Sequence, residues 1–296
     1  MKALPLLGLC LVSGCLRSQN VTHVTVAGRD VAVWKPVGAA PPSGYPLIIF
    51  SHGLGGCNTQ STFLMTALAN AGYLVVAPNH ADGRCGTARA SRRDPSSSDV
   101  PEPPVRDDSK WSDASYRVRA TDVEAVLDSI LRARVFEGVP VDAERIGIAG
   151  HSLGGYTALG LAGAWPSWKD ARIKAVLALS PYCTPFVARG ALGHLDVPTM
   201  YQGGTWDFGI TPSVRRLQGA YDLSSTPKYY VEFTRAGHFA WTDLNPRFQS
   251  LIDRYSIAFF DRYVKGLNNP DPLAGITRTP LPDGISYLRA DLKRGG

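Results

Sequence analysis

The stretch IGIAGHSLGGYTALGLAGA, residues 146–164, decides how this chain reads. It begins as an apolar run with strand character, passes through Gly150-His151-Ser152-Leu153-Gly154, and continues as an apolar run with helix character. A serine at a sharp strand-to-helix turn takes a strained backbone conformation. Side chains two residues before and after it would meet neighbouring backbone, so glycine is needed at 150 and at 154. The turn lifts the hydroxyl clear of a sheet, and the free N–H groups of the following helix favour negative charge developing above them. In this strand–turn–helix setting the G-x-S-x-G pattern predicts a nucleophilic Ser152. A glycine turn of purely structural use is the alternative.

A serine hydroxyl is a weak nucleophile until a base takes its proton, and a histidine base needs a carboxylate to hold its tautomer. In α/β-hydrolases, whose elbow this turn resembles, the chain order is serine, acid, histidine. VPTMYQGGTWDFG (197–209) reads as a strand followed by a Gly-Gly break and Asp207. KYYVEFTRAGHFAW (228–241) reads as a strand followed by a loop holding His238. Asp207 and His238 are therefore the expected acid and base. His23 and His194 lie in the wrong places for the base, and His151 adjoins the serine, so its side chain should point elsewhere. His52 and His80 end early strands and read as hydrogen-bonded structural histidines. Among rival acids, Asp222 precedes the last strand, Asp243 follows His238 too closely, and Asp196 starts its strand at the wrong end of the sheet. Acyl transfer also needs two N–H donors for the developing oxyanion. Leu153, after the nucleophile, is one; Leu54, in the glycine-rich SHGLGG (51–56), is the other. The motif needs no metal and no organic cofactor.

Outward from the elbow, buried strand alternates with helix. VTHVTV (21–26) and DVAVW (30–34) read as a hairpin. YPLIIFSHG (45–53) and YLVVAPNH (73–80) are continuous apolar runs, suited to strands buried on both faces. STFLMTALANAG (61–72) between them has helical spacing and a glycine stop. Val123, Val126, Leu127, Ile130 and Leu131 share one face of a helix over 116–136. Beyond them the sequence predicts strands at 145–149, 173–180, 197–203 and 228–233, and helices at 154–164, 212–221 and 248–265. This predicts a doubly wound, mostly parallel sheet with antiparallel N-terminal edge strands. Residues 82–112, rich in Pro, Ser, Asp and Arg, break the pattern and read as a long polar surface loop. With 296 residues, 44% of them apolar, and no dividing linker, one domain over 15–296 is expected.

The net charge is +6, but the basic residues fall in isolated pairs such as Arg92-Arg93 and Arg215-Arg216, not in a stripe. They read as solvated faces, and a nucleic-acid partner is not expected. Lys2 followed by ALPLLGLCLV (3–12) is too short to span a bilayer and reads as a signal peptide over 1–14. The following VSGC resembles a bacterial lipobox, which implies lipidation of Cys15 and a membrane anchor; a simple signal peptide and secretion is the alternative. Export makes a disulfide plausible, and Cys57–Cys85 is favoured because both follow strand ends that should lie side by side.

IIFSHGLGG, AGHSLGG, VPTMYQGGTWD and TPKYYVEFTRAGHFAW carry a wider resemblance, over roughly residues 45–265. The chain resembles the dienelactone-hydrolase-like branch of the α/β-hydrolases, which includes bacterial cutinases, polyester hydrolases and platelet-activating-factor acetylhydrolases. The resemblance implies an α/β-hydrolase fold, a triad of Ser152, Asp207 and His238, and an ester substrate, small or polymeric. It departs from true dienelactone hydrolases, whose nucleophile is cysteine, and from cutinases in the length of the 82–112 loop. Tyr182, Trp206, Phe239 and Trp241 sit beside the expected catalytic loops and are candidates for an apolar substrate pocket. A serine peptidase or amidase of the same fold, and a non-catalytic envelope binding protein, are the competing functions.

Overall fold

Every residue of Tyr45–Ser51 (β3) and of Leu74–Pro78 (β4) is buried, as strands covered on both faces must be. In the computed structural model, which describes residues 21–84, 107–268, 272–273 and 280–292, the two lie parallel, Ile48 opposite Val75. The other edge of β3 pairs with Val139–His151 (β6), setting Ser51 opposite Gly150. Ile173–Leu179 (β7), Thr199–Gly204 (β8) and Lys228–Phe233 (β9) extend the parallel sheet in chain order. The hairpin of Thr22–Val26 (β1) and Arg29–Trp34 (β2) joins antiparallel to β4. Its turn, Ala27-Gly28, has positive φ at both residues, 48° and 75°, which matches the right-handed twist of the flanking strands. The strand order is β1-β2-β4-β3-β6-β7-β8-β9-β10, where β10 is Ile285–Asp291. This is the α/β-hydrolase fold.

Alternation along the strands divides the core. Leu47 and Ile49 pack in one layer with Val123, Val126, Leu127 and Ile130 of Arg117–Ala133 (α2). Ile48 and Phe50 pack in the other with Leu64, Met65 and Leu68 of Thr62–Asn70 (α1), and with Ile252, Phe259 and Phe260 of Gln249–Tyr263 (α7). The chain passes from β3 through α1 to β4 on one side, then returns through α2 to β6 on the other. That reversal leaves a crevice beyond the carboxyl ends of β3 and β6, the place where open α/β sheets take ligands.

Three departures from the expected elements have physical causes. The helix predicted over 212–221 is two short helices, Thr211–Arg215 (α5) and Ala220–Leu223 (α6). Between them Gln218 has φ 56°, and a β-carbon on Gly219 would stand 2.7 Å from the carbonyls of Arg216 and Ser213. The helix after the elbow is regular over Leu153–Leu159 (α3) and continues as a wider turn over Gly160–Ala164, where Gly163 has φ 119°. Strand β10 was not expected from its sequence. It pairs antiparallel with β9 at the sheet edge, and only Ile285 of its seven residues is buried, so it carries no apolar run. The helix expected over 116–136 ends at Ala133, and a two-residue strand, Val135–Phe136 (β5), follows it and pairs with the start of β6; a short helix, Thr184–Arg189 (α4), follows β7. Residues 1–20, most of the expected polar loop, Cys15 and Cys85 lie outside the described residues. Among the described residues, no helix is long and apolar enough to cross a membrane.

Leu127 is fully buried between α2 and the sheet. Leu127→Ala is expected to cost about 2–5 kcal/mol of stability, read as a lowered midpoint in urea unfolding at unchanged slope.

Candidate active site

Ser152 caps α3 with φ 55° and ψ −116°, outside the conformations that L-residues usually adopt. The neighbouring glycines explain how the chain reaches it. A β-carbon on Gly150 would lie 2.1 Å from the carbonyl oxygen of Gly154, and one on Gly154 would lie 1.9 Å from that of Ser51. Both contacts are with backbone, which cannot rotate away. The elbow is clamped to the end of β7: the Ser152 amide donates to Leu179 O at 3.0 Å, and the Tyr182 amide donates to Ser152 O at 2.9 Å.

The loop after β9 brings His238 to this turn, with Nε2 3.0 Å from Ser152 Oγ. On its other side, Nδ1 is 3.3 Å from Asp207 Oδ1 and 2.8 Å from Ser180 Oγ. Asp207 is buried in the turn that follows β8, where its Oδ2 accepts hydrogen bonds from Ser180 Oγ and from Thr211 Oγ1. The Ser180 hydroxyl thus lies between acid and base, accepting from the imidazole and donating to the carboxylate. Ser180 has φ 41° and closes β7. Ser180 is not among the expected site residues, although a serine ending the buried run VLAL (176–179) is a signal in the sequence. The rival acids have other partners. Asp243 accepts the amides of Thr62 and Phe63 at the start of α1, Asp222 is paired with Arg289, and Asp196 with Lys169.

Beneath the serine lies a buried polar layer. Gln60 joins two loops: its Oε1 accepts from the Gly53 amide at 3.0 Å, and its Nε2 donates to His151 Nδ1 at 3.0 Å. His151 Nε2 then donates to the carbonyl of His238 at 2.8 Å. The side chain of His151 accordingly points away from the serine hydroxyl, and burial, aided by His238, pushes its pKa from 6.5 to about 3. His80 bonds Ser51 Oγ and Asp122, while His52 bonds Gly53 O and the His80 amide. Burial, then the nearby Arg119, lowers the pKa of both. Arg119 is itself fully buried, paired with Asp82. It too was missed, although residues 119, 123, 126 and 130 share a helix face and a charge on an apolar stripe is conspicuous.

Among the described residues, two cavities border both Ser152 and His238. One, of about 590 Å³, is lined by Leu54, Leu153, Tyr182 and Trp206, together with Trp111, Tyr116 and Phe208, which the sequence reading did not select. The other, of about 530 Å³, is lined by residues of the 53–60 loop and by Phe239, Thr242 and Leu244. Trp241 lines neither and must be reassigned. It is fully buried in the core layer of α1 and α7, with Nε1 donating to Gln202 Oε1 at 3.0 Å, because the turn over His238–Trp241 directs it beneath the sheet end rather than into the cleft. Cys57 is disulfide-bonded, and Cys85, its expected partner, lies outside the described residues. Cys183 is a free, buried thiol, pushed up to about 12 by burial.

This fold and this elbow define a member of the dienelactone-hydrolase-like branch of the α/β-hydrolases. Residues 98–269, well over half of the chain, match the PET hydrolase-like family, and the chain belongs to that family. Residues 11–133 match platelet-activating factor acetylhydrolase, isoform II. The cutinase est1 of Thermobifida alba is 33% identical over 149 residues, 49% of this chain and 46% of its own length. A cutinase of Thermobifida fusca strain YX is 31% identical over 149 residues, 49% of this chain and 45% of its own. The bis(hydroxyethyl) terephthalate hydrolase of Streptomyces coelicolor is 29% identical over 126 residues, 42% of this chain and 36% of its own. The chain thus spans about half the length, or less, of these curated relatives.

A buried His151 that stays neutral to about pH 3 makes stability depend on acid. The unfolded chain takes up the proton below about pH 6.5 and the folded chain does not, so stability falls as pH drops from 6.5 toward 3. Asp253, pushed up to about 7 by burial, acts in the opposite sense, and comparison with a variant cancels it. Between these limits the wild type is expected to lose up to about 1.4 kcal/mol per pH unit more than His151→Gln. Urea unfolding at a series of pH values measures this; parallel slopes for the two proteins would refute it.

Proposed function

We propose that this chain is a serine hydrolase of carboxylic esters, acting through an acyl-enzyme. The observation that carries the reading is the 3.0 Å approach of His238 Nε2 to Ser152 Oγ at the floor of an apolar cleft. His238 takes the serine proton while the oxygen attacks the ester carbonyl, and the imidazolium so formed is stabilised by Asp207, directly and through Ser180. The tetrahedral oxyanion is bound by the amides of Leu153 and Leu54. Leu153 is the first residue of α3, where an N–H has no partner within the helix. Collapse expels the alcohol with the proton from His238. Water, activated by the same imidazole, then releases the acid.

The cavities support an ester with apolar groups on both sides of the scissile bond. The mouth is rimmed by exposed Leu54, Trp206, Phe208, Phe239 and Leu244, which suits an aggregated or polymeric substrate as well as a dissolved one. Relatives named as cutinases and as a bis(hydroxyethyl) terephthalate hydrolase favour the same class. The short apolar run at 3–12, read as a signal peptide over 1–14, and the disulfide at Cys57 favour an exported protein, anchored through Cys15 or secreted.

Ser152→Ala is expected to abolish labelling by a fluorophosphonate and to lower kcat on p-nitrophenyl esters by about a thousandfold or more. Labelling that survives the substitution would overturn the reading. Ser180→Ala is expected to lower kcat about tenfold, the worth of one hydrogen bond of about 1.4 kcal/mol. Short esters, long esters, an insoluble polyester and aminoacyl amides, tested side by side, measure the substrate class; faster turnover of the amides would replace esterase with peptidase.

A further inference from the structure

Arg119 sits on the apolar face of α2 with no exposed surface. An ion in such a place costs several kcal/mol unless it is paired and fully hydrogen-bonded. Asp82 supplies the counter-charge, accepting from Nε at 3.1 Å and from Nη2 at 2.6 Å. Two further donors go to backbone: Nη1 to His52 O at 2.6 Å, and Nη2 to Gly53 O at 3.2 Å. The Gly53 carbonyl also accepts the Gly56 amide at 3.0 Å, and the Gly53 amide is held by Gln60.

Gly53 O belongs to the peptide whose N–H is that of Leu54. A trans peptide is planar, with its C=O and N–H pointing in opposite directions. Fixing the carbonyl toward α2 therefore fixes the amide away from α2, and Leu54 lines the cavity it shares with Ser152. A cation on the carbonyl end also polarises the amide, strengthening the N–H as a donor to an anion.

We propose that Arg119 is a positioning residue for the oxyanion hole: its guanidinium holds and polarises the Gly53–Leu54 peptide so that the Leu54 amide is preset to receive the oxyanion. The inference rests on the esterase reading above. It explains why the cation is arginine, since a planar fork reaches two carbonyls and a carboxylate together and an ammonium does not. It also assigns Asp82 a task, to hold the guanidinium plane from the far side.

The test uses the full chain. Arg119→Met is made together with Asp82→Asn, so that no lone carboxylate is left buried, and Arg119→Lys is made alone. For each protein kcat and KM on a soluble ester are measured, with the Ki of an alkyl boronic acid, which forms a tetrahedral anion on the nucleophile. The double variant is expected to lose about 10- to 100-fold in kcat, since weakening one oxyanion donor costs less than the 100- to 1,000-fold of removing it. KM should change by less than about threefold, and Ki should rise by the same factor as kcat falls. Arg119→Lys should lie between. A folded double variant with kcat within about twofold of wild type, or one that loses kcat without weaker boronate binding, overturns the proposal. If the double variant does not fold, Arg119→Lys decides: kcat and boronate affinity falling together support the proposal, and neither moving overturns it. Wild type that neither turns over esters nor binds the boronate removes the esterase reading and this inference with it. An active wild type with unaltered Arg119 variants removes this inference alone.

Discussion

The approach of α3 to the end of β3 is the constraint on which the site depends. A β-carbon on Gly154 would be 1.9 Å from Ser51 O, so the helix can stand where it does only because that carbon is missing. The closeness has two consequences. It brings the loop after β3, with Leu54, to the same cavity as the serine. It also forces Ser152 into a backbone conformation that costs about 1–3 kcal/mol. The strain is offset locally, by the two backbone bonds that clamp the elbow to the end of β7 and by the complete burial of Tyr156 and Leu159 behind it.

Below the elbow, polar groups are buried in two different ways. The buried Arg119 is ion-paired with Asp82, and the buried Asp122 with the half-buried Arg29. His52, His80 and His151 are held toward neutrality, chiefly by burial. The neutrality of His151 matters to the base. Its ring centroid is 4.8 Å from that of His238, and on the proposed mechanism a second positive charge there would oppose formation of the imidazolium. As a neutral donor to His238 O, His151 instead steadies the loop that carries the base.

Much of this was legible in the residues themselves. The parallel strands announce themselves as apolar runs because both faces are covered, and the elbow because glycine is sterically compelled on each side of the serine. Asp207 and His238 follow from where strands β8 and β9 end. What escaped notice was set by tertiary packing. Strand β10 is an edge strand with one buried residue and hence no pattern. Trp241 differs from Phe239 only in which way a short turn aims it, so an aromatic two positions along went into the core rather than the cleft. Ser180 and Arg119 act through side-chain reach across elements, from β7 to the loop after β9 and from α2 to the loop after β3, which spacing along the chain does not encode.

The two halves of the site are built oppositely, and the division follows from what each must do. On the proposed mechanism, the groups that would meet developing charge are backbone amides and cross-braced side chains, because a donor that must reorganise during the reaction loses much of its value. Gln60 is central to that bracing. Through one amide it holds Gly53 in the loop after β3 and, by way of His151, the carbonyl of His238 in the loop after β9. The rim of the cleft, by contrast, is exposed and apolar. Phe208 is 78% and Leu244 80% exposed, with rotamers free to adapt at little cost. For the ester hydrolase proposed above, a braced polar floor under an exposed apolar rim would let attack geometry stay constant while the shape of the ester varies.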